Sequence, residues 1–436
     1  MPMSPRILLT SGVRGDTRRY RALHLYEQLL LAGIDAQYYH LTDPKLLKAA
    51  SQESWDWVIL HRVAYSDYIR QVLESVHSRS LICSDFDDLI FDPSVFAFIN
   101  SPDFVDPVRA AMYQENMRNI RKVLDQSMVA LASTDFLAGE IRKTGKSVWV
   151  HRNAFSFEME AIARRVRESA NKRHDPRKVV IGYASGTATH NRDFELITPA
   201  LQSVMQRYPQ TELWLIGPLD LNEQWKPMQE RIRRFNLVPW RDLPDLLASF
   251  DINLAPLVTD NPFAQSKSEI KFMEAGMVGV PTAASNTDAF SYAIRSGETG
   301  FLCSNEAEWV AALSQMVEDK QLRDRVGRQA LEFIQTAYHP ITRTHQLVNS
   351  LDEINRQMGR ADFWGGEQPS LVEIQRRSQV YRAEDQRKIS RYEKDPTNIQ
   401  LGVYSLRNLG VRKTLHQVKL YFRRILSPIF PFKKSA

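Results

Sequence analysis

Two lysines and a glutamate spaced along one short stretch carry the most chemistry in this sequence. Residues 260–284 read DNPFAQSKSEIKFMEAGMVGVPTAA, and Lys267, Lys271 and Glu274 stand at i, i+4 and i+7, one face of a helix. Asp260, Asn261 and Pro262 favour a turn, and Ser266 and Glu269 have the spacing of a capping box, so the pattern predicts a helix starting at Ser266. Ile270, Met273 and Met277 form a neighbouring apolar stripe that reads as core. Cations beside a helix N-terminus, where amides and dipole add their own positive field, suit a phosphate. Glu274, with Ser268 close by, can bind sugar or ribose hydroxyls. The same spacing also fits a solvated face, on which Lys271 and Glu274 form a surface pair worth about 0.2–0.5 kcal/mol.

Three further loops offer candidate groups. Residues 11–21, SGVRGDTRRYR, combine Gly12 and Gly15 with Arg14, Arg18, Arg19 and Arg21. The G-K-[ST] ending of a P-loop is missing, which argues against an ATPase. Arg14 and Gly15 are the candidates there, the other arginines being readable as solvated helix charges. SDFDDLIFDPS places Asp85, Asp87, Asp88 and Asp92 after a predicted strand. These carboxylates can cap structure, the commonest role of Asp before Pro and helix starts; they can accept from an acceptor's hydroxyls; or they can hold a divalent metal. Capping ranks first and metal last. ASGTATHNRDFE supplies Gly186, Thr187, Thr189, His190 and Arg192 just ahead of a helix, another arrangement open to phosphate, although an ordinary turn capped by Asn191 gives the same pattern. Trp240 ends a short apolar run, NLVPW, that reads as a strand.

The elements that position these groups alternate between strand and helix. RILLTS, DAQYYHL, WDWVILH, SLICSDF, MVALAST and SVWVHR read as strands with helical patterns between them. After a polar, basic connection at residues 151–178, KVVIGYASG, ELWLIGP, DINLAPL, PTAAS and GFLCS do the same, and EQWKPMQERIRRF reads as a helix. Such alternation predicts an α/β chain of two doubly wound Rossmann-like domains, with ligands beyond the carboxyl ends of the strands. The boundaries are 1–155 for the first domain, 156–178 for the linker and 179–340 for the second domain. A helix at 341–360 and a basic amphipathic extension at 361–436 follow.

Composition sets limits. The chain has 436 residues, 43% of them hydrophobic, enough for two cores. Its two cysteines, Cys83 and Cys303, each lie in a predicted strand of a different half and read as buried small hydrophobes. Residues 401–436 hold eight Lys and Arg and no acid, so the first 400 residues carry −2 of the net +6. Leu415, Val418, Phe422 and Ile425 form one apolar stripe there, with Ile429, Phe430 and Phe432 beyond Pro428. Residues 411–432 are therefore expected to meet an anionic membrane surface. The apolar stripe fits lipid better than nucleic acid, and no nucleic-acid partner is expected. No run approaches the ~18 apolar residues of a span, and MPMSPRILLTSG lacks a signal peptide's apolar region. The expected location is cytoplasmic and peripheral, at the inner face of the plasma membrane.

FMEAGMVGVPTAAS resembles the second half of the signature of group-1 retaining glycosyltransferases with the GT-B fold, in which an E-x7-E helix precedes a G-x-P strand start. Glu274 takes the place of the second glutamate, and Ser266 replaces the first. SKSEIKFMEA and DFDDLIFD resemble a bacterial branch of that family concerned with surface polysaccharide, and the match spans roughly residues 5–355. The resemblance implies a nucleotide-diphosphate sugar donor held by the second domain, a glycan or lipid-linked acceptor on the first, retention at the anomeric carbon, and a return of the 341–360 helix to the first domain. It implies that Arg192 replaces the family's diphosphate-binding lysine and that Thr187 stands where an arginine is expected, with His190 or Lys267 compensating. Trp240 lies in the base-binding region. On this footing Arg192, Lys267 and Glu274 are the catalytic candidates. Gly186, Thr187, His190, Trp240, Ser268 and Lys271 bind the donor, while Arg14, Gly15, Asp85, Asp87 and Asp88 lie on the acceptor side. No cofactor is required, and divalent metal is dispensable. A non-catalytic GT-B scaffold and a GT-B sugar-nucleotide epimerase are the alternatives.

Overall fold

The computed structural model describes residues 4–76, 80–169, 174–360, 363–381, 389, 392–409 and 414. The apolar runs form two six-stranded parallel sheets. In the first, β1 (Arg6–Ser11), β2 (Asp35–His40), β3 (Trp57–His61), β4 (Leu81–Phe86), β5 (Val129–Ala132) and β6 (Ser147–Val150) lie in the order β2-β1-β3-β4-β5-β6. In the second, β7 (Val179–Ala184), β8 (Thr211–Ile216), β9 (Ile232–Phe235), β10 (Ile252–Ala255), β11 (Thr282–Ser285) and β12 (Phe301–Cys303) lie in the order β12-β11-β10-β7-β8-β9. Strand order reverses at β1 and at β7, and the loops after them open the crevices where ligands of such sheets bind.

Because side chains alternate along a strand, each sheet divides its residues between two cores. In the first sheet Ile7, Leu9, Trp57, Ile59, Leu81 and Cys83 pack towards the helix His24–Leu31, whereas Leu8, Val58, Leu60 and Ile82 pack on the opposite face. In the second, Val180, Trp214 and Ile216 face one core and Ile181, Tyr183, Leu213 and Leu215 the other. Cys83 and Cys303 are both free and buried.

After the second sheet the chain crosses back. The helix Pro340–Gln357 buries Leu347, Val348, Leu351 and Ile354 in the core that holds Leu25 and Leu29, and Asn355 Oδ1 accepts from the Trp57 indole at 3.2 Å. The described part of the extension continues on the same domain. Leu371–Val380 adds Ile374 to that core. The Tyr392 ring meets Tyr26 and Tyr38 edge-on at 5.4 and 5.2 Å, and Tyr404 of Asn398–Leu409 meets Tyr68 at 6.1 Å. The basic amphipathic stretch at 411–432 lies, Thr414 apart, outside the described residues.

Three local expectations differ from the structure. The helix expected from Ser266 begins at Ile270, preceded by a single turn, Pro262–Gln265, that Asn261 caps by accepting from the Phe263 and Ala264 amides. Ser266 is engaged elsewhere: its Oγ accepts from the Leu89 amide of the first domain at 3.0 Å. The helix expected over residues 223–235 stops early, because Pro227 cannot sit inside an α-helix. A 3-10 segment, Glu223–Arg231, gives way to β9, and the residues NLVPW beyond it are not a strand. The connection between domains contains a helix, Phe157–Ser169, whose Met159, Ile162, Ala163 and Val166 join a second-domain core.

Leu351 is fully buried where the returning helix meets the first domain. Leu351→Ala is expected to destabilise the chain by about 2–5 kcal/mol, read from urea unfolding of the two proteins.

Candidate functional site

The carboxyl ends of the two sheets line one cleft, with a water-accessible volume of about 250 Å³. The first domain contributes Asp16, Thr17 and Tyr20 after β1, and Asp87 and Asp88 after β4. From the second come Ala184 to Gly186 and His190 after β7, Leu237, Val238 and Trp240 after β9, and Lys267, Ser268, Ile270, Lys271 and Glu274 on the organising turn and helix. That helix, Ile270–Met277, is held close to the helix Lys320–Ala337. Gly276 makes the approach possible, since a Cβ there would lie 2.3 Å from Ile334 Cδ1.

The second-domain wall is basic. Lys271 Nζ donates to the Ala184 carbonyl at 2.5 Å and lies 5.0 Å from the centre of the Tyr183 ring. Loss of water around it lowers the ammonium to about 8, Lys267 adding to the effect and Glu274 opposing it. Lys267 lies 4.9 Å over the Phe263 ring. Among the described residues neither lysine has a carboxylate within ion-pair distance, so the two charges are free to take an anion. His190 cannot add a third charge at neutral pH. Desolvation lowers its imidazole to about 4, with Lys267 and Lys271 adding and Asp193 opposing, and its Nδ1–H donates to Asp193 Oδ2 at 2.9 Å. Glu274 accepts a 2.5 Å hydrogen bond from the Tyr20 hydroxyl. Desolvation raises its carboxyl, an effect that the Tyr20 hydroxyl, Arg19 and Lys271 oppose.

The first-domain wall is acidic and partly neutralised from within. Arg62 Nε donates to Asp87 and Arg62 Nη2 to Asp88 at 2.5 Å. Arg62 holds this position with a φ of 49°, a region uncommon for any residue but glycine. Gly12 lies against it, where a Cβ would stand 2.4 Å from the Arg62 carbonyl oxygen. Burial would push the Asp87 carboxyl up, but Arg62 and His61 outweigh it and hold the group well below the ordinary carboxylate range. Among the described residues no three His, Cys, Asp or Glu side chains are grouped as metal ligands.

Of the residues singled out from the sequence, Gly186, His190, Trp240, Lys267, Ser268, Lys271, Glu274, Asp87 and Asp88 line the cleft. Asp85 does not: it is fully buried and paired through both oxygens with Arg21. Arg14 and Gly15 are exposed at the loop tip, where the Gly15 amide donates to Asp395 Oδ1 at 3.2 Å. Thr187 is exposed and pairs with Thr189. Arg192 is exposed and absent from the lining, while its neighbour Asp193 turns inward to accept from His190 and from the Val258 amide at 3.1 Å. Tyr20, Asp16, Thr17, Leu237 and Val238 join the cleft without having been singled out, and nothing in their local pattern distinguishes them.

Two doubly wound domains facing across such a cleft define the GT-B architecture of sugar transferases. Residues 178–319 match the family described as glycosyl transferases group 1, and the two-domain architecture is that of the GT-B fold. Among solved structures, HepE of Anabaena in complex with UDP and glucose is similar at a TM-score of 0.54 and 14% identity, over 80% of this chain and 100% of that one. Sucrose-phosphate synthase from Thermosynechococcus elongatus is similar at 0.54 and 13%, over 82% and 100%. At these identities the likeness is one of fold. No curated protein sequence matches the chain.

The His190 imidazole binds its proton less readily folded than unfolded. On acidification the unfolded chain is therefore protonated first, and stability is lost as pH falls from about 6.5 towards 4. Urea unfolding at pH 7 and pH 5 should show His190→Gln losing about 2 kcal/mol less than the wild type over that interval.

Proposed function

We propose that this chain moves a sugar from a nucleotide-diphosphate donor to a glycan or lipid-linked acceptor, with retention at the anomeric carbon, in the assembly of a bacterial surface polysaccharide. The observation that carries the reading is the pair of ammonium groups, Lys267 and Lys271, on the same cleft wall as Glu274. Two cations without carboxylate partners suit a diphosphate, and a desolvated carboxylate beside them suits the hydroxyls of the attached sugar. The UDP and glucose bound by HepE are ligands of the same chemical kind.

In this mechanism the sugar–phosphate bond lengthens and negative charge gathers on the departing diphosphate. Lys267, Lys271 and the backbone amides near Gly186 stabilise that charge. Arrival of the diphosphate favours the protonated form of Lys271, opposing the desolvation that lowers it. The acceptor hydroxyl enters from the side of Asp16, Asp87 and Asp88, bonds to the anomeric carbon on the face the diphosphate leaves, and gives its proton to the departing phosphate oxygen. Glu274 orients the donor and forms no covalent bond. Arg192, exposed outside the cleft, takes no part unless that loop moves. Arg62 already occupies one oxygen of Asp87 and one of Asp88, which supports a reaction that does not route the diphosphate through a metal there.

A panel of nucleotide sugars, read by melting shift and by release of nucleotide diphosphate, tests the reading, which falls if no donor is bound or turned over. With an active donor, Lys267→Ala should lower kcat/KM at least tenfold, because a lost charge-assisted contact costs about 1.5–3 kcal/mol. Wild-type turnover in that variant would remove the lysine from the site. Activity is expected to survive excess EDTA; complete loss, restored by manganese and copied by Asp87→Asn, would place the diphosphate on the aspartates instead.

The cytoplasmic, membrane-peripheral location belongs to the same reading. No helix among the described residues is long and apolar enough to cross a membrane. The basic, amphipathic residues 411–432 support attachment to an anionic leaflet. Removing residues 411–436 should abolish flotation with anionic vesicles and leave transfer to a soluble acceptor nearly intact. Flotation of the truncated chain equal to that of the full chain would place the contact elsewhere.

A further inference from the structure

Tyr20 reaches Glu274 from the opposite domain. It lies on a π-helical segment, Arg19–Leu23, inserted between a one-turn helix, Gly15–Arg18, and the helix His24–Leu31. Such wide turns shift helical register and recur at functional sites. Here the shift allows one continuous run to do two things. His24–Leu31 buries Leu25 and Leu29 in the first-domain core, while the preceding turn delivers Tyr20 to the cleft. The Tyr20 ring is held edge-on to His24 at 5.3 Å, and the Arg19 guanidinium stacks 4.7 Å from it and 4.4 Å from Trp240 of the second domain. A cation between one ring from each domain fixes the Tyr20 hydroxyl in its reach across the cleft.

That hydroxyl donates to Glu274 Oε1 at 2.5 Å. The second oxygen, Oε2, has no hydrogen-bond donor among the described residues and is left for a ligand. We propose that Tyr20 is a positioning residue: by holding one oxygen of Glu274 from the far side of the cleft, it keeps the carboxylate ionised and presents the other oxygen to a donor hydroxyl. The proposal rests on the reading of Glu274 as the donor-orienting carboxylate. The groups that face Glu274 are Tyr20, Arg19, Lys271 and Asp16. Arg19 and Lys271 favour the carboxylate, while desolvation and Asp16 oppose it. The hydroxyl belongs with the favouring groups, since donation to a charged carboxylate stabilises that form.

Tyr20→Phe removes the hydroxyl and keeps the ring that packs on Arg19 and His24. In the full chain it is expected to lower kcat/KM roughly ten- to a hundredfold with the donor found in the panel, and to move the acid limb of its pH profile to higher pH. A second measurement needs no donor. The 13Cδ signal of Glu274, assigned by its absence in Glu274→Gln, is followed against pH in the ligand-free wild type and in Y20F. Titration at higher pH in Y20F supports the proposal, and identical titration overturns it. If the wild type turns over no nucleotide sugar, the donor reading falls while this titration still decides the role of Tyr20. If the donor is turned over and Y20F matches the wild type in kcat/KM and pH profile, Glu274 acts without Tyr20 and the proposal fails.

Discussion

An ammonium stripped of most of its water is the constraint around which the cleft is arranged. Desolvation lowers the Lys271 ammonium, Glu274 and Asp193 oppose that shift, and a carbonyl at the end of β7 and the face of Tyr183 lie against it. Those partners depend on more than one element. Ala184 and Tyr183 depend on the register of the central strand of the second sheet, and the approach of the helix depends on the bare face of Gly276. Glu274 depends on a side chain from the other domain. Desolvated charge therefore ties strand register, helix packing and domain closure to one another, and a disturbance in any of them reaches the lysine.

The aspartates after β4 follow the opposite rule. Their sequence, DFDD, presents alternating and adjacent carboxylates that look alike, yet strand geometry separates them. Asp85 is the single acid within the strand Leu81–Phe86 and is neutralised by the buried Arg21. Asp87 and Asp88 lie past the strand end and share Arg62. The protein thereby keeps acidic residues at the cleft with part of their negative charge offset opposite the two lysines.

Fold was legible in the sequence where a period repeats. Strand alternation and helix spacing are local, and the first sheet, five strands of the second and the helix Pro340–Gln357 could be read from them, while the return of that helix was implied by the family resemblance. The edge strand Ile232–Phe235 was missed, because a helical pattern around Pro227 hid it and the apolar run NLVPW beyond it drew the strand reading instead. The site was legible only in part. Lys271 and Glu274 lie on the helix Ile270–Met277 and Lys267 on the turn before it, so helical spacing grouped the three although only two are helical. The role of Ser266 was not accessible, since its partner is the amide of Leu89 in the other domain. Arg192 and Asp193 show the limit most clearly: neighbours on a helix point about 100° apart, and sequence does not say which of them faces inward. Tyr20 sits on a π-helical turn, whose shifted register defeats any pattern built on 3.6 residues per turn.

The return of the chain to its first domain has a consequence for synthesis on the ribosome. Leu25, Leu29 and Trp57 are exported early, but the helix that covers them spans Pro340–Gln357, and Ile374 completes the same core later still. The N-terminal sheet therefore waits, with an uncovered apolar face, while the whole second domain is made. The second domain has its own helices and closes without that delay, so vectorial folding is inverted: the half made last is sealed first. A nascent chain of this kind carries an incompletely covered apolar surface while its second half is made.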